Sequence, residues 1–110
     1  MLAVGVRLHS PAKHRPFEGR DDVLRVLIAV SEVFEDFRYV QQLVGDQPES
    51  SNGTAVHGLV FRARIGDKQV HGIDLLEIDA HGQIIDLTVM IRPITALIAL
   101  AEAVNTRLNA

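Results

Sequence analysis

The sequence predicts an α+β fold with antiparallel strand pairing. Two segments carry apolar residues at helical spacing: Val23, Leu27, Val30 and Phe34, widened by Leu24 and Ile28, and later Ile94, Leu97, Leu100, Ala101, Val104 and Leu108. Between Thr54 and Ile91 three apolar runs are separated only by Gly66-Asp67 and by Asp79-Ala80-His81-Gly82, both hairpin signals. A strand, a helix, a strand, a three-stranded meander and a closing helix make up the α+β order.

Each element has its own reason. Val4 to Ser10 reads as a short strand, and Pro11, Pro16 and Gly19 break the chain into a loop from Pro11 to Gly19. Asp21 and Asp22 open the first helix, where negative charge suits the exposed N–H groups. Phe37 to Val44 reads as a strand, and Gly45 to Gly53 (GDQPESSNG) as a polar, turn-rich loop. The meander strands are Thr54 to Ile65, Lys68 to Ile78 and Ile84 to Ile91, and Pro93 takes the first position of the last helix.

Composition narrows the function. The chain has 110 residues, 47% of them hydrophobic, which suits one domain with one packed core. A net charge of −3 lacks the basic excess of a nucleic-acid binder, and Arg7, Lys13, His14, Arg15 and Arg20 read as a solvated loop. The chain has no cysteine, which excludes disulfides and cysteine-ligated zinc. Arg7 ends the apolar start too early for a signal peptide or a membrane span, so a cytoplasmic protein without a membrane partner is expected. His9, His14 and Glu18 fit no one-face ligand spacing, so no metal is expected, and no cofactor motif is present.

Register sorts the sheet into faces. With Gly66-Asp67 as a two-residue turn, Phe61 faces Gly72 and Leu59 faces Asp74; with a four-residue second turn, Asp74 faces Leu87 and Gly72 faces Val89. His57, Leu59, Phe61, Gly72, Asp74, Leu76, Leu87, Val89 and Ile91 then share one face, apolar except for His57 and Asp74. A carboxylate there costs free energy to keep charged without a partner, so Asp74 is expected to have a raised pKa or to be neutralised by His57. The opposite face carries Val56, Val60, Ile73, Leu75, Thr88 and Met90, with Arg62, Arg64, Glu77, Asp86 and Arg92 at its margins. No predicted segment remains to cover it, which predicts a homodimer through the sheet.

LHSPAKHRPFEGRDDVLRVL (Leu8 to Leu27) and VHGIDLLEIDAHGQIIDLTVMIRPITALIALAEAV (Val70 to Val104) resemble the nuclear transport factor 2-like superfamily, near its polyketide cyclase-like, ketosteroid isomerase-like branch. The resemblance implies a cone-shaped, curved antiparallel sheet wrapped around helices, with a deep pocket on the concave side. It places Asp74 where ketosteroid isomerases hold the acid that hydrogen-bonds the substrate oxyanion. It places Ser10, before Pro11, where they hold the proton-shuttling Asp, a role that a hydroxyl cannot fill. Members usually begin with one or two helices, and this chain starts almost at the first strand, so those helices read as missing or short. Tyr39, the only tyrosine, lies beyond the first helix and does not match the catalytic tyrosine that those helices supply.

The expected function is a small-molecule binding domain for an apolar, ring-sized ligand, with scope for isomerase-, cyclase- or hydrolase-type acid–base chemistry. Asp74 is the acid or polar anchor, His57 the base or its partner, and Ser10 a hydrogen-bond donor. Leu59, Phe61, Leu76, Leu87 and Val89 are the walls. The alternative is a non-catalytic dimerising or protein-interaction module with a vestigial pocket. A cavity lined by His57 and Asp74 favours the first, and side chains filling that space favour the second.

Overall fold

The computed structural model describes residues 1–45 and 54–109, so the predicted loop lies, beyond Gly45, outside the described residues. The elements are β1 (Leu2–His9), β2 (Phe17–Glu18), α1 (Arg20–Val33), β3 (Glu35–Val44), β4 (Ala55–Ile65), β5 (Lys68–Ile78), β6 (Ile84–Arg92) and α2 (Ile94–Leu108). The strands form one curved, open sheet in the order β2-β1-β6-β5-β4-β3. Two features depart from the expected all-antiparallel sheet. β1 runs parallel to β6, and the two-residue β2 pairs with β1 inside the predicted loop. No hairpin ties β1 to its neighbour β6, so turn geometry does not fix their relative direction.

The meander sets the register. Ile65 pairs with Lys68 across the Gly66-Asp67 turn, which places Phe61 opposite Gly72 and Leu59 opposite Asp74, as expected. Gly66 takes a φ of 60°, a left-handed value that glycine adopts without strain. At the second turn Asp79 Oδ1 accepts the N–H groups of His81 and Gln83, both at 2.9 Å. The β5–β6 register differs from expectation by two residues. The turn is one residue longer than expected, with Ile78 opposite Ile84, and a bulge at Glu77/Ile78 adds one more, which brings Asp74 opposite Val89 and Gly72 opposite Ile91. An even shift leaves every side chain on its predicted face; an odd one would have inverted the strand.

α1 starts after Gly19, carries Asp21 and Asp22 in its first turn, and buries Val23, Val26, Ala29 and Val33. Leu24 and Ile28 stay about half exposed, so the buried stripe is narrower than predicted. Two clusters hold the helices to the sheet. Val6, Leu8, Val23, Val26 and Leu87 form one, and Phe61, Ala63, Val70 and Ala96 the other. Burial of each Val, Leu or Phe side chain among these contributes roughly 1.5–3 kcal/mol against the chain entropy lost on folding.

One corner aims β3. Asp36 sits at φ 55°, and Arg64 holds it there, with Nε 2.6 Å from Asp36 Oδ2 and Nη1 2.8 Å from Glu35 Oε2. Bulges follow between Glu35 and Arg38 and between Tyr39 and Gln41. A bulge re-aims the side chains beside it. Phe37 and Tyr39, two residues apart, both turn to the concave face.

Candidate functional site

The site begins with a missing side chain. A Cβ on Gly72 would lie 2.3 Å from Phe61 Cζ and 2.8 Å from the Met90 carbonyl oxygen. Glycine therefore lets the Phe61 ring lie flat against the β5 backbone. Phe37 stacks on Phe61 at 5.0 Å between centroids, Tyr39 meets Phe37 edge-on at 5.0 Å, and Phe34 completes the group at 5.7 Å from Phe61. Such ring pairs add roughly 0.5–1.5 kcal/mol each beyond their buried area.

These rings wall one side of a cavity of about 340 Å³. Val26, Val30 and Leu100 form the helix side, Val89 and Ile91 the β6 side, and Leu8, Ser10 and Pro11 the last part of β1 and the residues after it. Among the described residues, the polar side chains in the lining are Ser10, Ser31, Tyr39 and Asp74, and Asp74 is the only carboxylate. The volume falls within the roughly 300–1,000 Å³ typical of small-molecule sites.

Asp74 is mostly buried, and desolvation raises its pKa to about 6. The Tyr39 hydroxyl donates to Asp74 Oδ2 at 3.3 Å and opposes part of that rise. The Tyr39 pKa moves up, first through its own desolvation and then through the charge and hydrogen bond of Asp74. A carboxyl with a pKa near 6 can hold or release a proton close to neutral pH, as acid–base work requires.

Asp74, Ser10, Phe61 and Val89 line the cavity, and His57, Leu59, Leu76 and Leu87 do not. His57 pairs with Leu76 on one side and Val44 on the other, toward the start of β4. The hydrogen-bond partner of Asp74 is Tyr39 rather than His57, because β3 carries Tyr39 opposite Phe61, one strand away from Gly72. Leu87 is a core residue packed with Leu8 and Val26, and Leu76 packs against the same cluster. Ser10 Oγ accepts the Lys13 N–H at 3.3 Å, which leaves its own proton free to donate into the cavity.

Sequence reasoning set Tyr39 aside. Its signal was the pair Phe37 and Tyr39 at strand spacing, facing the same side as Phe61, and the bulges that complete the placement leave no mark in composition.

Solved structures of similar fold extend this picture. A steroid delta-isomerase from Pseudomonas aeruginosa is 37% identical with a TM-score of 0.87, over 98% of this chain and 74% of that one. An uncharacterized bacterial protein with a cystatin-like fold from Silicibacter pomeroyi DSS-3 is 31% identical with a TM-score of 0.86, over 99% of this chain and 72% of that one. An NTF2-like protein of unknown function from Cytophaga hutchinsonii shares the fold at 22% identity and a TM-score of 0.51, over 84% of this chain and 70% of that one. No protein-family model and no curated protein matches the sequence. The α+β order, the curved open sheet and the two similar structures above 30% identity agree, and the chain belongs to the nuclear transport factor 2-like superfamily.

Proposed function

We propose that the cavity binds a small apolar ring compound carrying one oxygen function, and that Asp74 exchanges a hydrogen bond or a proton with that oxygen or with an adjacent carbon. The observation that carries this reading is the single desolvated carboxyl, with its pKa near 6, in an otherwise apolar lining. Tyr39 is the second polar contact, and its hydroxyl can donate to Asp74 or to a ligand oxygen. Isomerase-type chemistry fits this pair. Asp74 is the one lining group able to take a proton from carbon and return it, while Tyr39 or Ser10 donates to the carbonyl oxygen. Similarity to a steroid delta-isomerase supports the choice of ligand class. Of the pair expected to line the cavity, Asp74 does and His57 does not, and Asp74 is the half that supports this reading over a vestigial pocket. A cytoplasmic setting is part of the same proposal and rests on the cysteine-free, mixed-polarity composition; no helix among the described residues is long and apolar enough to cross a membrane.

The test is thermal stability of wild type and Asp74→Asn against cyclic ketones, sterols and ring-bearing acids. A bound compound at about 100 times its dissociation constant adds roughly 2.7 kcal/mol to wild type. The same compound is expected to lose most of that effect on Asp74→Asn. Compounds that stabilise both proteins equally would remove Asp74 from the site, and a panel without any stabilising class would end the ligand reading.

A further inference from the structure

A second hollow of about 320 Å³ lies beside the cavity, between α1, α2 and the residues that follow β1. Ser10, Pro11, Val26, Val30 and Leu100 line both spaces, so the two abut, and none of these shared residues is charged. The apolar part of the hollow comes from Val26 and Val30 on α1 and from Leu97, Leu100 and Val104 on α2.

Its polar part differs in sign from that of the cavity. Among the described residues, Lys13 and Arg25 are the charged groups in the lining, and no carboxylate joins them, in a chain whose net charge is −3. Lys13 Nζ lies 4.6 Å from the centre of the Phe17 ring, which also lines the hollow, and this cation–π contact keeps the ammonium at its rim. The Lys13 N–H, donated to Ser10 Oγ at 3.3 Å, ties down the turn that carries it. Arg25 stands one helical turn after Asp21 and Asp22, a spacing that suits an ion pair on a helix. Yet neither Arg25 nor Lys13 pairs with a carboxylate among the described residues. Asn105 Oδ1 accepts from Asn109 Nδ2 at 3.0 Å, so the Asn105 N–H groups are the part left to donate.

Electrostatics therefore sorts the two spaces. The cavity holds Asp74, which suits a neutral oxygen and repels an anion when charged. The hollow holds two cations and an amide, which attract an anion. We propose that the ligand is a ring compound with a carboxylate-bearing side chain, its ring in the cavity beside Asp74 and its carboxylate in the second hollow beside Lys13 and Arg25. The proposal rests on the ligand reading above and adds to it an acidic end and a direction of binding. Lys13 and Arg25 are both exposed, so their attraction for the carboxylate is open to screening by salt.

The experiment compares each ring-bearing acid of the panel with its methyl ester, by titration calorimetry on the full chain at low salt and neutral pH. The ester keeps the shape and removes the charge. Wild type is expected to bind the acid about fivefold tighter or more, the scale of a solvated ion pair. That preference is expected to shrink at about 0.5 M salt. Lys13→Gln with Arg25→Gln is expected to bind acid and ester alike, with the ester's affinity unchanged, and Lys13→Arg with Arg25→Lys to keep the preference. Circular dichroism confirms that each variant is folded. Asp74→Asn is expected to weaken acid and ester together and to leave the acid preferred. A neutral cyclic ketone that binds the cavity is expected to compete with the acid. Equal binding of acid and ester to wild type, a preference that survives Lys13→Gln with Arg25→Gln, or an acid that binds alongside the ketone without displacing it would each overturn the proposal and leave the cavity reading standing. A panel in which no acid, ester or ketone binds would remove both.

Discussion

Replacing Asp74 by Asn should make the protein more stable, and only above a defined pH. The folded-state pKa of Asp74 is about 6, against an ordinary 3.8, because burial disfavours the carboxylate. Between those values the folded chain binds more protons than the unfolded chain, so stability falls as pH rises from about 4 to about 6. Below pH 4 both states are protonated and the group costs nothing; above pH 6 the cost is fully present. At about 1.36 kcal/mol per unit the shift corresponds to about 3 kcal/mol, which partial exposure of Asp74 reduces to roughly 2 kcal/mol. Asn removes the ionisation and can still accept from the Tyr39 hydroxyl. Urea unfolding of both proteins at pH 4 and pH 7.5 measures the difference. The expected result is a gain of roughly 2 kcal/mol for Asp74→Asn at pH 7.5, equivalent to roughly 8 °C in Tm, shrinking toward pH 4. A difference that does not vary with pH would refute the claim that Asp74 is a desolvated carboxyl.

Three further predictions follow from individual contacts. Tyr39→Phe removes the hydrogen bond that lowers the Asp74 pKa, so an NMR titration of the Asp74 carboxyl should move to higher pH, with little change in fold. Gly72→Ala drives a methyl into the Phe61 ring and the Met90 carbonyl, and should cost about 2–4 kcal/mol in urea unfolding while distorting the cavity. Arg64→Ala releases Glu35 and Asp36, and should lower the urea midpoint slightly, a loss that shrinks in high salt because these ion pairs are exposed.

What the sequence made legible follows from turn chemistry. Gly66-Asp67 alone determines the β4–β5 register, and with it the meeting of Phe61 with Gly72 and the side on which Asp74 points. The face assignment on β6 holds because the longer turn and the bulge at Glu77/Ile78 each shift the register by one residue, and the sum is even. The direction of β1 was not legible, because no short connection joins it to β6. Tyr39 was not legible as the partner of Asp74 for a related reason: no tight-turn signal joins β3 to β4, so the register that sets Tyr39 opposite Phe61 depends on bulges that leave no mark in the sequence. His57 was read as a neighbour of Asp74 because both share a face, yet a shared face spans more of the sheet than the cavity covers.

β3 ends the sheet, with β4 as its only neighbour. Half of its backbone amides and carbonyls are therefore held by no strand, and every one of its residues is exposed. Such edges open at a fraction of the global unfolding free energy. Two of the four rings in the cavity wall, Phe37 and Tyr39, hang on this strand, while Asp74 lies on β5, paired on both sides. The cavity thus joins a wall paired on both sides to a wall paired on one, and the side with fewer backbone partners is the one that the Arg64 ion pairs clasp at its foot.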